Sequence, residues 1–248
     1  MDYRSSIMKV ETMTNPLLQV ADLKAVVSFS KAHNLVSIID NTFATPMNFR
    51  PLEWGFDLSL HSCTKYLNGH SDIVAGAVIG QADRIEKITH LLNHFGGSLD
   101  PHACFLLHRG MKTLAVRMKC HNESALKIAR FLEGHEAVSK VNYPGLESHP
   151  GHGRVRELFD GFSGMLSFEP RGGVEEADRF INNTHLPVVA PSLGGIETLI
   201  TRPVTTSHAG VSPEDRKRFG ISDSLIRVSV GIEKTEDIIE DFEQALNV

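Results

Sequence analysis

The chain has 248 residues, of which 41 % are hydrophobic and 22 % are charged. These proportions are those of a globular protein, and they exclude collagen-like, coiled-coil and disordered chains. The net charge is −5 without a basic block, which argues against a nucleic-acid partner. No apolar run reaches the ~18 residues of a membrane-spanning helix, so the sequence predicts no membrane partner either. The length allows one large domain or two small ones.

Three cysteines, Cys63, Cys104 and Cys120, form no CxxC pair and leave an odd count. This pattern argues against a disulfide scaffold and against a structural zinc site. The first residues contain no apolar segment of the signal-peptide type. We therefore expect a reducing compartment, the cytoplasm, with an organellar leader outside this sequence as the alternative.

The 13 histidines raise the question of a metal site. His90 and His94 are spaced for one face of a helix, and His149 and His152 share a loop rich in proline and glycine. Neither pair has an evident third ligand, whereas zinc sites use three or four protein ligands. The sequence therefore predicts no metal site.

The first 80 residues alternate between helical and strand patterns. Apolar residues recur at helical spacing over 17–33, after Pro16. Short apolar runs at 36–39, 58–61 and 73–79 predict buried strands. Strands that alternate with helices form mainly parallel α/β sheets, in which functional residues gather just beyond the carboxyl ends of the strands.

Nearly continuous helical spacing covers residues 101–132 and predicts one long helix that bridges two domains. Shorter strands and helices are predicted after it, at 138–141, 164–168, 175–182, 225–230 and 235–246. Thr235 is the expected N-cap of the last helix. We therefore expect a large α/β domain in residues 1–115 and a small α+β domain in residues 116–248.

Lys65 follows the predicted strand 58–61, in the segment Ser-Cys-Thr-Lys-Tyr-Leu-Asn-Gly-His-Ser-Asp that starts at Ser62. In an extended segment, side chains two positions apart share a side, so Ser62 and Thr64 could present two hydroxyls to one acceptor. Two such donors beside a lysine suit a phosphate group. The alternative is an ordinary polar loop with a solvated lysine.

Asp40 follows the apolar run 36–39. A carboxylate there either caps the next turn or belongs to a site, since an unpaired buried carboxylate is costly. The separation from Lys65 (65 − 40 = 25) leaves room for one helix between two strands that end at one crevice. A lysine amine, an aspartate and paired hydroxyls match a site for pyridoxal 5′-phosphate (PLP), in which the lysine forms a Schiff base and the aspartate keeps the ring nitrogen protonated.

Two segments carry a resemblance to a known family: Asp-Asn-Thr-Phe-Ala-Thr-Pro from Asp40, and the segment 62–72 around Lys65. Together they resemble the Cys/Met-metabolism PLP-dependent enzymes, which include cystathionine γ-synthases, cystathionine γ-lyases, methionine γ-lyases and O-acetylhomoserine sulfhydrylases. The resemblance covers essentially the whole chain. It continues through the segments 11–16, 109–114, 143–146, 192–197 and 225–233.

The resemblance implies PLP fold type I, the aspartate aminotransferase-like fold, here as part of the large domain followed by the C-terminal small domain. Lys65 then matches the Schiff-base lysine, and Asp40 matches the partner of the pyridine nitrogen. Ser62 and Thr64 match the phosphate ligands. Other matched positions line the cofactor ring, namely Asn15 and Thr42, or bind the substrate, namely Arg227 at its α-carboxylate and Ser192 beside it.

The implied activity is γ-elimination or γ-replacement on sulfur amino acids or activated homoserine, of the cystathionine γ-synthase or γ-lyase type. The implied partners are a small amino-acid substrate and further copies of the chain, since family members form dimers and tetramers. Pro191 stands where several γ-lyases carry an acidic residue, which weakens a strict γ-lyase assignment.

Family members begin well upstream of Glu11, and the earlier part supplies a phosphate-binding turn and a tyrosine that stacks on the ring. The alternative expectation is therefore a truncated, inactive paralogue that retains the fold or pairs with full-length subunits.

Overall fold

A computed structural model describes residues 6–247 of the chain, which contain two β-sheets. The first sheet has the strand order β1-β2-β3-β4. Its strands are β1 (Ile7–Glu11), β2 (Val36–Asp40), β3 (Leu58–Ser62) and β4 (Gly76–Gly80). The first three strands are parallel, whereas β4 runs antiparallel to β3. The predicted, mainly parallel α/β sheet is thus confirmed.

The second sheet has the order β5-β6-β9-β8-β7 and is mostly antiparallel. Its strands are β5 (Val138–Asn142), β6 (Met165–Pro170), β7 (Val188–Val189), β8 (Leu199–Thr201) and β9 (Ile226–Ser229). The helices are α1 (Leu23–Ala32), α2 (Thr45–Asn48), α3 (Ala82–Phe95), α4 (Pro101–Met111), α5 (Leu114–Gly134), α6 (His152–Leu158), α7 (Val174–Asn183), α8 (Pro213–Phe219) and α9 (Thr235–Leu246). This half has the α+β character that the sequence predicts.

The helix predicted over 17–33 starts later than expected. Leu18 has a φ of 53°, in the left-handed region that a right-handed helix excludes. The carboxylate of Asp22 instead caps α1 by accepting the N–H of Ala25 at 2.9 Å. The N-cap predicted at the other end of the chain is also wrong, because Lys234 precedes α9 and Thr235 is its first residue.

The single helix predicted over 101–132 is two helices, α4 and α5. The break arises at Gly110, because its carbonyl accepts the N–H of Thr113 at 3.2 Å and a guanidinium N–H of Arg117 at 2.9 Å. A side chain at residue 110 would collide with the chain at Asn68, whose carbonyl oxygen lies 2.3 Å from the position of a Cβ. Close packing against another segment therefore ends α4 where the apolar spacing continues.

Helix α5 contributes to two hydrophobic cores. Leu114 and Met118 belong to the core under the first sheet, whereas Ile128 and Leu132 belong to the core of the second sheet. The helix therefore packs in both cores, and its role as a bridge between two domains stays a prediction. The domain boundary at 115/116 falls inside α5 and stays a prediction.

Two structural findings concern membrane-spanning helices and metal sites. No helix in residues 6–247 combines the length and the apolar character needed to cross a bilayer. Within the same residues, no three side chains of His, Cys, Asp or Glu lie close enough to hold a metal ion together.

Burial lowers the pKa of two core histidines, His61 and His121, from 6.5 to about 4, and it also lowers the pKa of the buried His149. The unfolded chain therefore takes up protons at a higher pH than the folded chain, so the free energy of unfolding falls as the pH drops from about 6.5 towards 4. From pH 7 to pH 5, we expect a loss of about 2 kcal/mol for each of His61 and His121. Urea unfolding at both pH values measures it. His61→Gln should reduce the loss between the two pH values by about 2 kcal/mol and the exposed control His102→Gln should not change it, and equal pH dependence in all three proteins would contradict this account.

Candidate active site

A small cavity lies at the carboxyl ends of the parallel strands. Asp40 is the last residue of β2, and Ser62 is the last residue of β3. Lys65 lies in the turn that follows β3, and all three line a cavity of about 180 Å³. The carboxyl ends of parallel strands meet at one edge of a sheet, which explains why residues distant in sequence come together here. Asn15 and Thr42 line the same cavity.

Asp40 is fixed by Thr42. One carboxylate oxygen, Oδ1, accepts the backbone N–H of Thr42 at 3.0 Å and its hydroxyl at 2.6 Å. The Thr42 hydroxyl in turn accepts the backbone N–H of Ser62 at 2.9 Å, which ties the ends of β2 and β3 together. Within residues 6–247, the second carboxylate oxygen of Asp40 has no hydrogen bond. The carboxylate is therefore oriented and keeps one oxygen for a ligand.

The amine of Lys65 reaches across to the second half of the chain. Its Nζ donates a hydrogen bond to the Ser192 hydroxyl at 2.7 Å. Burial and the nearby charge of Arg227 lower the pKa of Lys65. A lower pKa enlarges the fraction of neutral amine at a given pH, and the neutral amine is the form that attacks carbonyl groups and accepts protons.

Arg227 joins the same site from β9 and is almost completely buried. Its guanidinium donates to the side-chain oxygen of Asn15 at 3.2 Å and to the backbone carbonyl of Ser192 at 2.8 Å. Ser192 therefore contacts both Lys65 and Arg227, and its φ of 103° is in the left-handed region that favours glycine. Such strain, held by contacts on both sides, is common at functional sites.

The two hydroxyls expected to act together, Ser62 and Thr64, are placed differently. The Ser62 hydroxyl lines the cavity and has no hydrogen bond within the described part of the chain. The Thr64 hydroxyl accepts the N–H of Ala75 at 3.0 Å, donates to its carbonyl at 3.3 Å, and lines a neighbouring cavity of about 550 Å³. The argument from an extended strand is wrong here, because β3 ends at Ser62 and the chain turns. The role of Thr64 at a phosphate stays a prediction.

Sequence reasoning assigned no role to Glu11, which lies beside Asp40. The two residues are direct partners in the register of β1 and β2, so their side chains leave the sheet on the same face. Desolvation and the charge of Asp40 raise the pKa of Glu11. The available signal was its position as the first residue of the segment 11–16, which carries part of the family resemblance.

Arg117 is a second residue without a predicted role, and it holds the segment after Lys65 in place. Its guanidinium is buried, with 4 % of the residue exposed, and no carboxylate within the described residues pairs with it. It donates to the carbonyls of Tyr66 at 2.7 Å and Gly110 at 2.9 Å. The available signal was its helical spacing, since Arg117 lies on the same face of α5 as the buried Leu114 and His121.

We expect Arg117→Gln to lower the free energy of unfolding by about 3 kcal/mol, because several buried carbonyls lose their donor. Urea unfolding monitored by circular dichroism measures the loss. The exposed Arg130→Gln on the same helix is the matched control and should change stability by less than about 0.5 kcal/mol. Equal stability of the two variants would show that the Arg117 contacts do not hold this segment.

The groups in the cavity fit PLP. An amine with a lowered pKa suits its aldehyde, and a carboxylate with one oxygen available suits its ring nitrogen. The Ser62 hydroxyl, which has no partner within residues 6–247, suits its phosphate. Lys65, Asp40 and Ser62 would hold the cofactor, with Asn15 and Thr42 beside the ring.

Known proteins resemble the chain closely in sequence. The Cys/Met metabolism PLP-dependent enzyme family matches residues 1–247. A cystathionine beta-lyase of Lactococcus lactis is 47 % identical over 237 residues, which cover 95 % of this chain and 62 % of that protein. A cystathionine gamma-lyase of Dictyostelium discoideum is 44 % identical over 245 residues, which cover 98 % of this chain and 63 % of that protein.

Solved structures agree with this result. A cystathionine gamma synthase from Xanthomonas oryzae in complex with cystathionine superposes with a TM-score of 0.95 at 41 % identity, and covers 98 % of this chain. The chain spans 63 % of the length of that structure, and less than two thirds of the curated relatives named above. With the family match extending over residues 1–247, the chain belongs to the Cys/Met metabolism PLP-dependent enzyme family.

Proposed function

We propose that the chain carries the catalytic lysine and the substrate-binding arginine of a transsulfuration enzyme. The proposed reaction is γ-elimination or γ-replacement on cystathionine, another sulfur amino acid or an activated homoserine. One observation supports this most directly: the Lys65 amine and the Arg227 guanidinium both contact Ser192, at 2.7 and 2.8 Å. A base and a carboxylate-binding group are thereby held side by side at the end of the sheet that carries Asp40.

Each residue has a distinct task in this proposal. PLP, when bound, withdraws electrons from the substrate α-carbon and so makes its proton acidic. Asp40 holds a proton on the ring nitrogen, and Ser62 donates a hydrogen bond to the phosphate. The Nζ of Lys65 takes the proton from the substrate α-carbon, a task for which a pKa lowered towards neutrality is an advantage. The Ser192 hydroxyl accepts the Lys65 hydrogen bond and thereby orients the amine.

Arg227 would select α-amino acids. A planar guanidinium presents parallel donors that match a carboxylate, and burial strengthens the attraction between the two charges. The Xanthomonas oryzae relative is solved with cystathionine, an amino acid of this class. This supports a substrate with an α-carboxylate near Arg227 and a sulfur-bearing substituent.

We expect Arg227→Gln to raise KM about 100-fold, because a charge-assisted contact worth roughly 2–3 kcal/mol is lost. Cofactor absorbance should persist. The variant also removes a positive charge that lowers the pKa of Lys65, so the acidic limb of the pH–rate profile should move to higher pH. The exposed Arg179→Gln is the matched control and should change neither quantity. An unchanged KM would contradict the assigned role.

The reaction type is tested by the products from cystathionine. Both cleavages consume one water molecule. Cleavage on the γ side gives cysteine, ammonia and 2-oxobutanoate, whereas cleavage on the β side gives homocysteine, ammonia and pyruvate. The named relatives include both a beta-lyase and a gamma-lyase. Release of 2-oxobutanoate, or formation of cystathionine from an O-acylhomoserine and cysteine, is the expected result. Pyruvate alone would replace the γ assignment by β-elimination, and no product in any assay would contradict activity of this chain.

The second proposal is a chain without activity that associates with further copies or with full-length subunits. Exposed apolar side chains on β4 and α3 favour it. Helix α3 has no buried residue, Leu91 is 54 % exposed and Phe95 is 84 % exposed. Such a surface is typical of an interface. Light scattering coupled to size exclusion should then show a dimer or larger species that Leu91→Ser/Phe95→Ser converts to monomers, with Glu86→Ser as control. A monomer at all concentrations, with or without a full-length relative, would contradict this proposal.

We also propose that the chain works in the reducing cytoplasm. Within the described residues, Cys63, Cys104 and Cys120 are free thiols, which supports a reducing compartment.

A further inference from the structure

A second cleft, separate from the candidate active site, lies between β5 and the loop before α6. It consists of two adjoining cavities of about 410 and 300 Å³. Both cavities are lined by Lys140, Asn142, His149 and Pro150, so they lie side by side. The residues that line the candidate active site are all different from these.

Positive charge dominates the cleft. Lys140, Arg154 and Arg171 line it, whereas Glu133 is the one carboxylate in its lining within the described residues. Glu169, outside the lining, forms an ion pair with Lys140 at 3.8 Å. Neither guanidinium forms an ion pair there: Arg171 donates through Nε to the backbone carbonyl of Glu136 at 2.8 Å, and Arg154 donates through Nη1 to a backbone carbonyl. The remaining guanidinium N–H groups are therefore available to a ligand.

Two buried polar side chains form the base of the cleft. His149 is 8 % exposed, and its Nδ1 accepts the backbone N–H of Gly151 at 3.0 Å. In the neutral ring the proton is therefore on Nε2, which has no hydrogen-bond partner within residues 6–247 and is a donor for the cleft. Asn142 is 6 % exposed, and its amide nitrogen donates to the hydroxyl of Ser167 at 3.1 Å.

We propose that this cleft binds an oxyanion of the phosphate type, either inorganic phosphate or the phosphate group of a small metabolite. The ammonium group of Lys140 and the imidazole N–H of His149 line both cavities, with the Arg171 guanidinium in one and the Arg154 guanidinium in the other, and each cavity is large enough for such a ligand. Guanidinium donors match the geometry and charge of phosphate oxygens. A neutral ligand would leave Arg154 and Arg171 without an anionic partner among the described residues.

Isothermal titration calorimetry on the full chain tests the proposal, with inorganic phosphate and glycerol 3-phosphate as the two probes. We expect binding of at least one probe, weakened at least tenfold in Lys140→Gln/Arg171→Gln. Both side chains are on the exposed rim, so the variant should fold, which its unfolding transition verifies. Tighter binding of glycerol 3-phosphate would assign a metabolite as the ligand, and tighter binding of phosphate would assign the free ion.

Two controls separate this cleft from the candidate active site. Ser62→Ala removes the hydroxyl proposed to hold the cofactor phosphate, and it should leave probe binding unchanged. The exposed Lys127→Gln, on the outer face of α5, controls for general loss of positive charge. The proposal is overturned if neither probe binds, if the double variant binds as the parent does, or if Ser62→Ala abolishes binding.

Discussion

Lys65→Ala is expected to abolish the visible absorbance of covalently bound PLP and to reduce turnover by about 10³-fold or more. Alanine has no amine to attach the cofactor or to move a proton at the substrate α-carbon, and a positioned acid–base group contributes about 10²–10⁴-fold on its own. The hydrogen bond from Lys65 to Ser192 is also lost. An absorbance spectrum with added PLP and a 2-oxo acid assay with cystathionine measure the two effects.

Lys87→Ala is the matched control, because Lys87 is an exposed lysine on α3. It should retain both the absorbance and whatever activity the parent chain has. An absorbance band that survives in Lys65→Ala but is lost in Lys87→Ala would show that PLP is attached to Lys87, and it would contradict the role assigned to Lys65.

Asp40→Asn is expected to lower turnover by about 10²-fold while the chain remains folded. Asparagine can still accept the hydrogen bonds from Thr42, so the ends of β2 and β3 keep their geometry. It lacks the negative charge that holds a proton on the ring nitrogen of PLP, so the ring withdraws electrons less strongly. Cofactor binding should weaken less than turnover does.

The comparison of kcat with cofactor affinity distinguishes this role from a structural one. Asp83→Asn, in the first turn of α3, is an exposed control that should alter neither quantity. If Asp40→Asn lost stability and turnover in parallel, Asp40 would act through the turn that it caps. Unchanged turnover would contradict the assigned role outright.

Three of the four strands of the first sheet, β2, β3 and β4, could be predicted because short apolar runs bounded by polar residues have few other structures available, whereas β1 was not predicted. The sites at Asp40 and Lys65 followed from the general placement of functional residues at strand ends. The helix limits could not be predicted in the same way. The break between α4 and α5 depends on Gly110 packing against Asn68, a contact between segments 42 positions apart (110 − 68 = 42) that no local pattern records.

The hydrogen-bond partners of individual side chains could not be predicted from the sequence either. The Thr64 hydroxyl bonds with Ala75, although local spacing paired it with Ser62. Arg117 lies among apolar residues on the buried face of α5, so a prediction based on apolar spacing alone assigns it no role. The role of Arg117 follows from the backbone carbonyls that it binds in another segment, since a buried guanidinium requires such partners.

The central claim is that Lys65 carries the cofactor, and a peptide map tests it most directly. The full chain is incubated with PLP, reduced with borohydride and digested, and modified lysines are identified by mass spectrometry. We predict one dominant modified peptide, containing Lys65, and we expect it in Arg227→Gln as well, since that variant should retain the cofactor absorbance. A chain labelled evenly across its exposed lysines, or dominantly at any lysine other than Lys65, would contradict the account.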